Sequence, residues 1–364
     1  MSTRARITFA VVGLIVASCG GGGETDDTSG DTGAIETTTT LDSPTEVLTI
    51  MSHDSFAGGV TDDTFAPFTE ATGIEVRVLP AGDAGSMVNQ AILTVDNPIA
   101  DVLFGIDDSF LSRAFEAGIF AAHESPLLDE VPDDLQLDDE HRVTPIDRGD
   151  VCLNYDLEYF SNGVRPPLNL EQLTNPEYED LLVVEHPGTS SPGLAFLLST
   201  IATFGEDGWQ DYWRALVDNG VKVARDWDTA YYSDATWWGG DRPLVVSYAS
   251  SPPAEVIFAD PPTDEAITGV IDEGCYGQIE FAGVLAGTGN ETAAGLLVDF
   301  MLSPEFQSQV PLTWFVFPAN STVELPQEFV DHTLVPASPN RLDPDLVEEN
   351  REQWIEEWTE IVLP

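Results

Sequence analysis

From Glu46 onward the chain alternates short apolar runs with longer stretches in which apolar residues recur every three to four positions. Val47 to Met51, Val76 to Leu79, Asp101 to Phe104, Val151 to Tyr155, Leu181 to Val184, Val221 to Ala224 and Leu244 to Tyr248 read as strands. Between them, Gly85 to Val95, Asp108 to Ala117, Gly193 to Thr203 and Asp207 to Asp218 carry the helical spacing. This alternation predicts an α/β fold with mostly parallel sheets. About 320 residues share the pattern, more than one such sheet usually holds, so two lobes are expected. Near the end, Trp354 and Trp358 stand four apart in a helix expected from about Pro344, a spacing that docks one helix face onto the body of the protein. The pair Trp237-Trp238 is expected to pack a helix against its sheet.

The first 45 residues have a different pattern. Arg4 and Arg6 precede an apolar stretch from Ile7 to Val16, too short to span a bilayer comfortably, and Val16-Ala17-Ser18-Cys19 carries the small residues of a cleavage site. A Cys in that position reads as a bacterial lipoprotein signal: residues 1–18 are removed and Cys19 becomes the lipidated N-terminus. Gly20 to Thr45 is Gly, Thr, Asp, Ser and Glu with almost no apolar residue, so residues 19–45 are expected to form a flexible tether. No other stretch is long and apolar enough to cross a membrane.

Charge narrows the range of partners. Sixty-four acidic residues against 13 basic ones give a formal net charge of −51, and the single Lys, Lys222, stands among scattered Arg with no basic patch. Nucleic-acid and membrane-surface binding both rest on clustered Lys and Arg, so neither is expected beyond the lipid anchor. A hydrophobic content of 42% is enough for a folded core, and the acidity is therefore surface rather than disorder. Such a surface attracts cations. Cysteine usage adds a constraint: with Cys19 lipidated, Cys152 and Cys275 remain in an exported chain and are expected to bridge. The bridge would close a loop of about 120 residues and contribute roughly 4 to 5 kcal/mol on the chain-entropy model.

Enzyme signatures are absent: no phosphate loop, dinucleotide fingerprint, nucleophile elbow, H-E-x-x-H or close-set Cys/His cluster. The acidic runs Asp107-Asp108, Asp133-Asp134 and Asp138-Asp139-Glu140 lack the spacing of a Ca²⁺ loop and read as solvated surface. The expectation is a binding protein, not an enzyme, with no cofactor and no metal. Five strand-end segments rich in aromatic and hydroxyl groups stand out. They are His53-Asp54-Ser55-Phe56, Thr189-Ser190-Ser191-Pro192-Gly193, Trp227-Asp228-Thr229-Ala230-Tyr231, Val246 to Pro252, and Leu312 to Pro318. Ligands in open α/β sheets sit beyond the carboxyl ends of strands, where such loops converge.

In order and spacing these segments resemble the thiamine-binding proteins of bacterial ABC importers, a branch of the type II periplasmic-binding-protein superfamily. The likeness runs from about Glu46 to Trp358, and H-D-S-F, T-S-x-P-G, S-Y-x-x-S-P and the Trp-containing segment ending in Pro318 are its specific parts. The resemblance implies two α/β lobes joined by crossing strands near Gly149 to Tyr155 and Gly277 to Ala282, next to Cys152 and Cys275. Residues 46–150 and 277–364 would form one lobe with the C-terminal helices, and 151–276 the other. It also implies that a monomer captures thiamine or a thiamine phosphate in the cleft and delivers it to permease subunits and their ATPase.

The positions carried over are His53, Asp54, Asp83, Ser190, Ser191, Trp227, Tyr248, Ser251 and Trp314. Trp227 and Trp314 offer π faces to a cationic thiazolium and a flat pyrimidine. Asp54 and Asp83 offer charge and hydrogen-bond acceptors. Ser190 and Ser191, ahead of a helix start, offer free N–H groups to a hydroxyl or a phosphate. Some members have Tyr at the place of His53, a further Trp in Gly58-Gly59-Val60-Thr61, an aromatic at Pro253-Ala254 and Gly at Ala84, so the aromatic box here reads as thinner. The alternative within the same superfamily is a ferric-ion-binding protein of an iron importer, with Tyr231 and Tyr232 as paired phenolates beside His53 and an acid.

Overall fold

A computed structural model describes residues 46–363; the signal peptide, Cys19 and the tether lie outside the described residues. Ten strands form one mixed sheet: β1 (Val47–Ser52), β2 (Glu75–Pro80), β3 (Val102–Asp107), β4 (Phe120–Ala121), β5 (Thr144–Asp156), β6 (Leu182–Glu185), β7 (Lys222–Ala224), β8 (Leu244–Tyr248), β9 (Thr268–Leu285) and β10 (Phe317–Pro318). Their order is β2-β1-β3-β9-β5-β8-β6-β7, with β4 on β9 and β10 on β5.

The outer strands pair in parallel on each side, β2-β1-β3 on one and β8-β6-β7 on the other, as the alternating pattern predicts. The centre differs from the expectation of mostly parallel sheets. β5 and β9 are antiparallel to each other, β9 is antiparallel to β3, and β5 is antiparallel to β8. Two long strands thus run from one parallel half into the other, and each half with its flanking helices is a lobe.

The ladder between β5 and β9 breaks at Val151–Leu153, where four residues of β9 bulge out around Gly274, whose φ of 89° suits glycine. Cys152 and Cys275 lie at this break and are bridged, with Cα atoms 4.3 Å apart, as the cysteine count predicts. The disulfide holds the two crossing strands together where hydrogen bonding lapses.

One large apolar cluster runs through both lobes, from Met51, Met87 and Leu103 to Leu197 and Trp213, and a second lies on the outer side of the first lobe. Leu48, Ile50, Phe68, Leu297, Met301 and Phe306 are buried together in the second; Leu244 and Val246 belong to the large one. The C-terminal helix Pro344–Val362 uses the predicted tryptophan pair. Trp354 and Trp358 are buried, and Trp358 meets Trp213 edge-on at 5.3 Å, so this end docks on the second lobe. About two turns before Trp358, Arg351 donates to the Ser109 carbonyl at 2.9 Å on the first. Trp237 packs beside Tyr231, but Trp238 is 53% exposed, because the pair sits on a single 3-10 turn that can bury only one ring.

Candidate functional site

Between the lobes lies a cavity of about 680 Å³, within the range of small-molecule sites. Eight of the nine carried-over residues line it: His53, Asp54, Asp83, Ser191, Trp227, Tyr248, Ser251 and Trp314. Ser190, carried over for its backbone N–H, does not line it, and that N–H donates to the His186 carbonyl at 3.1 Å. Ser190 is the fully buried N-cap of the helix Ser191–Phe204, its backbone extended and its side chain behind Asp83.

His53 ends β1 and caps the helix Asp54–Gly59, its Nδ1 accepting the Phe56 N–H at 3.2 Å. Nδ1 thus acts as acceptor, which leaves Nε2 facing Glu280 Oε2 at 3.6 Å. The ring fits because residue 105 is glycine; a Cβ there would lie 2.1 Å from the imidazole. Burial alone would lower the His53 pKa, but the carboxylates of Glu280, Asp83 and Asp228 together outweigh it and raise it.

Glu280 is directly opposite Asp147 in the β5–β9 register, and both side chains reach the cavity floor. Burial, followed by the charge of Glu280, pushes the Asp147 carboxyl well above the ordinary range. Like charges this close on crossing strands oppose the ionisation of Asp147. Gln278 bridges this floor to the second lobe, donating to Glu280 Oε1 at 3.3 Å and to the Tyr248 hydroxyl at 3.2 Å. Neither Asp147 nor Glu280 was found by motif, because both fall inside long strands rather than at strand-end segments.

The two walls are aromatic but differently built. On the second lobe Trp227 stacks on Tyr231 at 5.0 Å and meets Tyr232 and Tyr248 edge-on, and its Nε1 donates to Ser247 Oγ at 3.0 Å. Ser247 in turn shares a 2.9 Å hydrogen bond with Ser251. On the first lobe Trp314 stacks on Phe56 at 4.7 Å and on Phe306 at 5.6 Å, and donates to the Phe56 carbonyl. Much of its ring surface is thereby used within its own lobe, which corrects the expectation of a face free for ligand.

The box is less thin than the sequence implied. Phe258, one helical turn beyond Ala254, and Phe315 both line the cavity and meet edge-on at 5.7 Å, one from each lobe. Phe315 holds a positive φ of 57°, a strained backbone of the kind found at binding sites.

The lobes touch along a seam beside the cavity. Asp83 caps the helix Ala84–Leu93 through the Ala84 N–H at 2.8 Å and accepts the Trp227 N–H at 3.2 Å from across the cleft. Ser55 donates to Asp228 at 3.3 Å, Ser191 donates to the buried Asp107, and the Gly85 N–H donates to the Thr189 carbonyl at 3.1 Å. At Gly85 the backbones approach so closely that a Cβ would lie 2.8 Å from the Gly188 carbonyl oxygen.

The iron alternative does not fit this arrangement. The Tyr231 hydroxyl donates to the buried Glu255 at 2.9 Å, and burial together with that carboxylate raises its pKa well above the ordinary value for a phenol. A phenol held protonated is poorly suited to bind Fe³⁺, and its ring already supports Trp227.

The family model for bacterial extracellular solute-binding proteins matches residues 97–350. The thiamine-binding periplasmic protein of Escherichia coli (strain K12) is 30% identical over 319 residues, 87% of this chain and 93% of that protein. The solved structure of a periplasmic thiamin binding protein superposes with a TM-score of 0.77 at 27% identity, covering 88% of this chain and 97% of the other. Iron uptake protein A1 of Synechocystis sp. matches at a lower 23%, over 78% of this chain and 79% of its own length. With the crossing-strand topology and the cleft between the lobes, these likenesses establish the type II periplasmic-binding fold, and the chain belongs to the bacterial extracellular solute-binding protein family.

Proposed function

We propose that this protein captures thiamine in the cleft between its lobes and delivers it to an ABC permease and its ATPase. The observation that carries the reading is the combination of an aromatic wall at Trp227 with a carboxyl floor at Asp147 and Glu280, in a chain whose relatives include a thiamine-binding protein. A thiazolium is a permanent cation, and an indole face with a carboxylate behind it attracts such a charge once water is excluded. The pyrimidine and its amine would meet Asp54, Asp83 and the Tyr248 hydroxyl. No bond is made; binding, closure and release are the whole cycle, and the protein is not an enzyme.

In this reading residues 46–150 and 277–343 move as one lobe and 151–276, with the C-terminal helix Pro344–Val362 docked on it, as the other, with the change in φ/ψ confined to β5 and β9 beside the disulfide. The protein works as a monomer on the extracytoplasmic face, held to the membrane through lipid on Cys19 and the tether. Calorimetric titration with thiamine tests the reading, after unfolding and refolding to strip carried ligand. One-to-one tight binding supports it, and absence of heat with thiamine overturns it.

A further inference from the structure

We infer that Glu255, which lies outside the cavity, is a positioning residue for ligand capture: through the Tyr231 hydroxyl it fixes the ring on which Trp227 rests. This rests on the proposed thiamine reading and adds a residue that sets affinity without touching the ligand.

The wall on the second lobe is built on an uncommon backbone. After the short turn Trp227–Thr229, residues Ala230–Asp234 wind as a π-helix. In an α-helix residue i+5 points well away from residue i, whereas the wider i→i+5 turn brings it round to the same side. Tyr231 and Tyr232, four and five residues after Trp227, therefore both meet its ring, one stacked at 5.0 Å and the other edge-on at 5.6 Å. The ends of this segment are tied down. Asp226 accepts the Thr229 N–H at 2.9 Å, and Asp234 pairs with Lys222 at 2.7 Å while its carbonyl accepts the Arg242 N–H at 2.9 Å.

The middle is held from behind by Glu255. This residue sits on the helix Pro252–Ile257, is 8% exposed and does not line the cavity. Its two carboxyl oxygens accept four hydrogen bonds: from the Tyr231 hydroxyl at 2.9 Å, the Thr268 hydroxyl at 2.6 Å, and the Ile267 and Thr268 N–H groups, each at 2.9 Å. Thr268 opens β9, so the phenol is tied to a strand that runs on into the other lobe. Packing alone would be served by an apolar side chain, since burying a carboxyl group is costly unless donors meet it. Here the donors are in place, and the one that leads toward the cavity is the phenol under Trp227. The indole is then fixed at its edge by Ser247 and across one face by Tyr231. Freeing the phenol would let that supporting ring shift, and the open indole face with it. A recognition ring that has to be ordered on binding loses affinity.

Calorimetric titration of the full exported chain with thiamine tests this, using Tyr231→Phe, which removes the hydroxyl and keeps the ring, and Glu255→Gln. Residues in one hydrogen-bond network couple strongly enough that each change should weaken thiamine binding by the folded protein roughly fivefold. In a Trp227→Ala background neither should weaken it further, because the effect passes through the indole. Near-UV circular dichroism gives a readout without ligand: the Trp227 contribution, taken as the difference made by Trp227→Ala, should lose amplitude when Glu255→Gln is present. Unchanged affinity in folded variants, whatever their unfolding temperature, would show a purely structural role and overturn the inference, as would equal losses with and without Trp227. Tyr231→Phe carries the affinity test alone if Glu255→Gln does not fold. A parent protein silent toward thiamine would overturn the thiamine reading, and the dichroism would then decide the inference by itself.

Discussion

The two tryptophans that the sequence treats alike, Trp227 and Trp314, are put to different uses. Trp227 stands on a short helical turn with one face supported by Tyr231 and its N–H tied to Ser247, so it is held still at the surface of the cleft. Trp314 stacks on Phe56 and Phe306 and holds the carbonyl of Phe56, so it is a partly buried ring packed against the first lobe's core, with its edge at the cavity. One wall is a ring propped up at the cavity surface, and the other leans on a hydrophobic core. An aromatic at a strand end is therefore informative about the location of a cleft, and less so about which ring meets the ligand.

The largest expected effect breaks the pair apart. Trp314→Ala removes two stacked contacts and a hydrogen bond and should cost about 3 kcal/mol of folding stability, read by denaturant unfolding. Trp227→Ala should leave stability within about 1 kcal/mol of the parent yet weaken thiamine binding roughly thirtyfold or more, as expected for a desolvated Trp anchor. Equal stability losses in the two variants would erase the distinction between the walls.

The floor between the walls sharpens the comparison at a smaller scale. Glu280→Gln keeps the shape and removes the charge, so affinity should fall about tenfold. Because burial lowers the His53 pKa and Glu280 raises it, the same variant should drop the imidazole pKa, visible in an NMR titration. A His53 titration unmoved by the change would show that Glu280 does not govern the ring.

The smallest effect concerns pH. Burial, against hydrogen bonds from Ser109 and Ser191, pushes Asp107 up to about 6; burial and then the Asp107 charge push Asp108 up to about 7. These folded-state values lie above those of an unfolded chain, so the folded protein keeps protons that the unfolded one releases. Their contribution is fully present below about pH 4 and is lost as pH rises through 6 and 7. The unfolding temperature should therefore fall by a few degrees between pH 5 and 8, at no more than about 2–4 °C per kcal/mol for a chain of this size. Asp108→Asn keeps the acceptor for the Ile279 N–H and removes the ionisation, so it should flatten this slope.

Much of this architecture is legible in the sequence for a physical reason. Strands such as β1, β6 and β8 are buried on both sides and announce themselves as unbroken apolar runs, and helices such as Trp209–Asp218 carry a strong stripe. The crossing strands are harder to read. β5 contains Pro145, Asp147, Gly149 and Asp150, and β9 contains Asp272, Glu273 and Gly274, all of which read locally as loop. They are strands because neighbours on both sides pair with them, which no local window reveals. The same fact hid Asp147 and Glu280, whose partnership exists only through the register of those strands. Phe258 went unseen because it stands one helical turn beyond the segment where an aromatic was expected.

The contact at Gly85 has a mechanical meaning for delivery. A single methyl group at that position would act as a doorstop, pressing on the Gly188 carbonyl oxygen before the seam could form. Such a protein would still offer both walls to solvent, but it would stay ajar and release its cargo as readily as it met it. A permease that distinguishes laden from empty carriers by the closed outline would then see only empty ones. At this spot closure of the seam depends on the absence of a side chain.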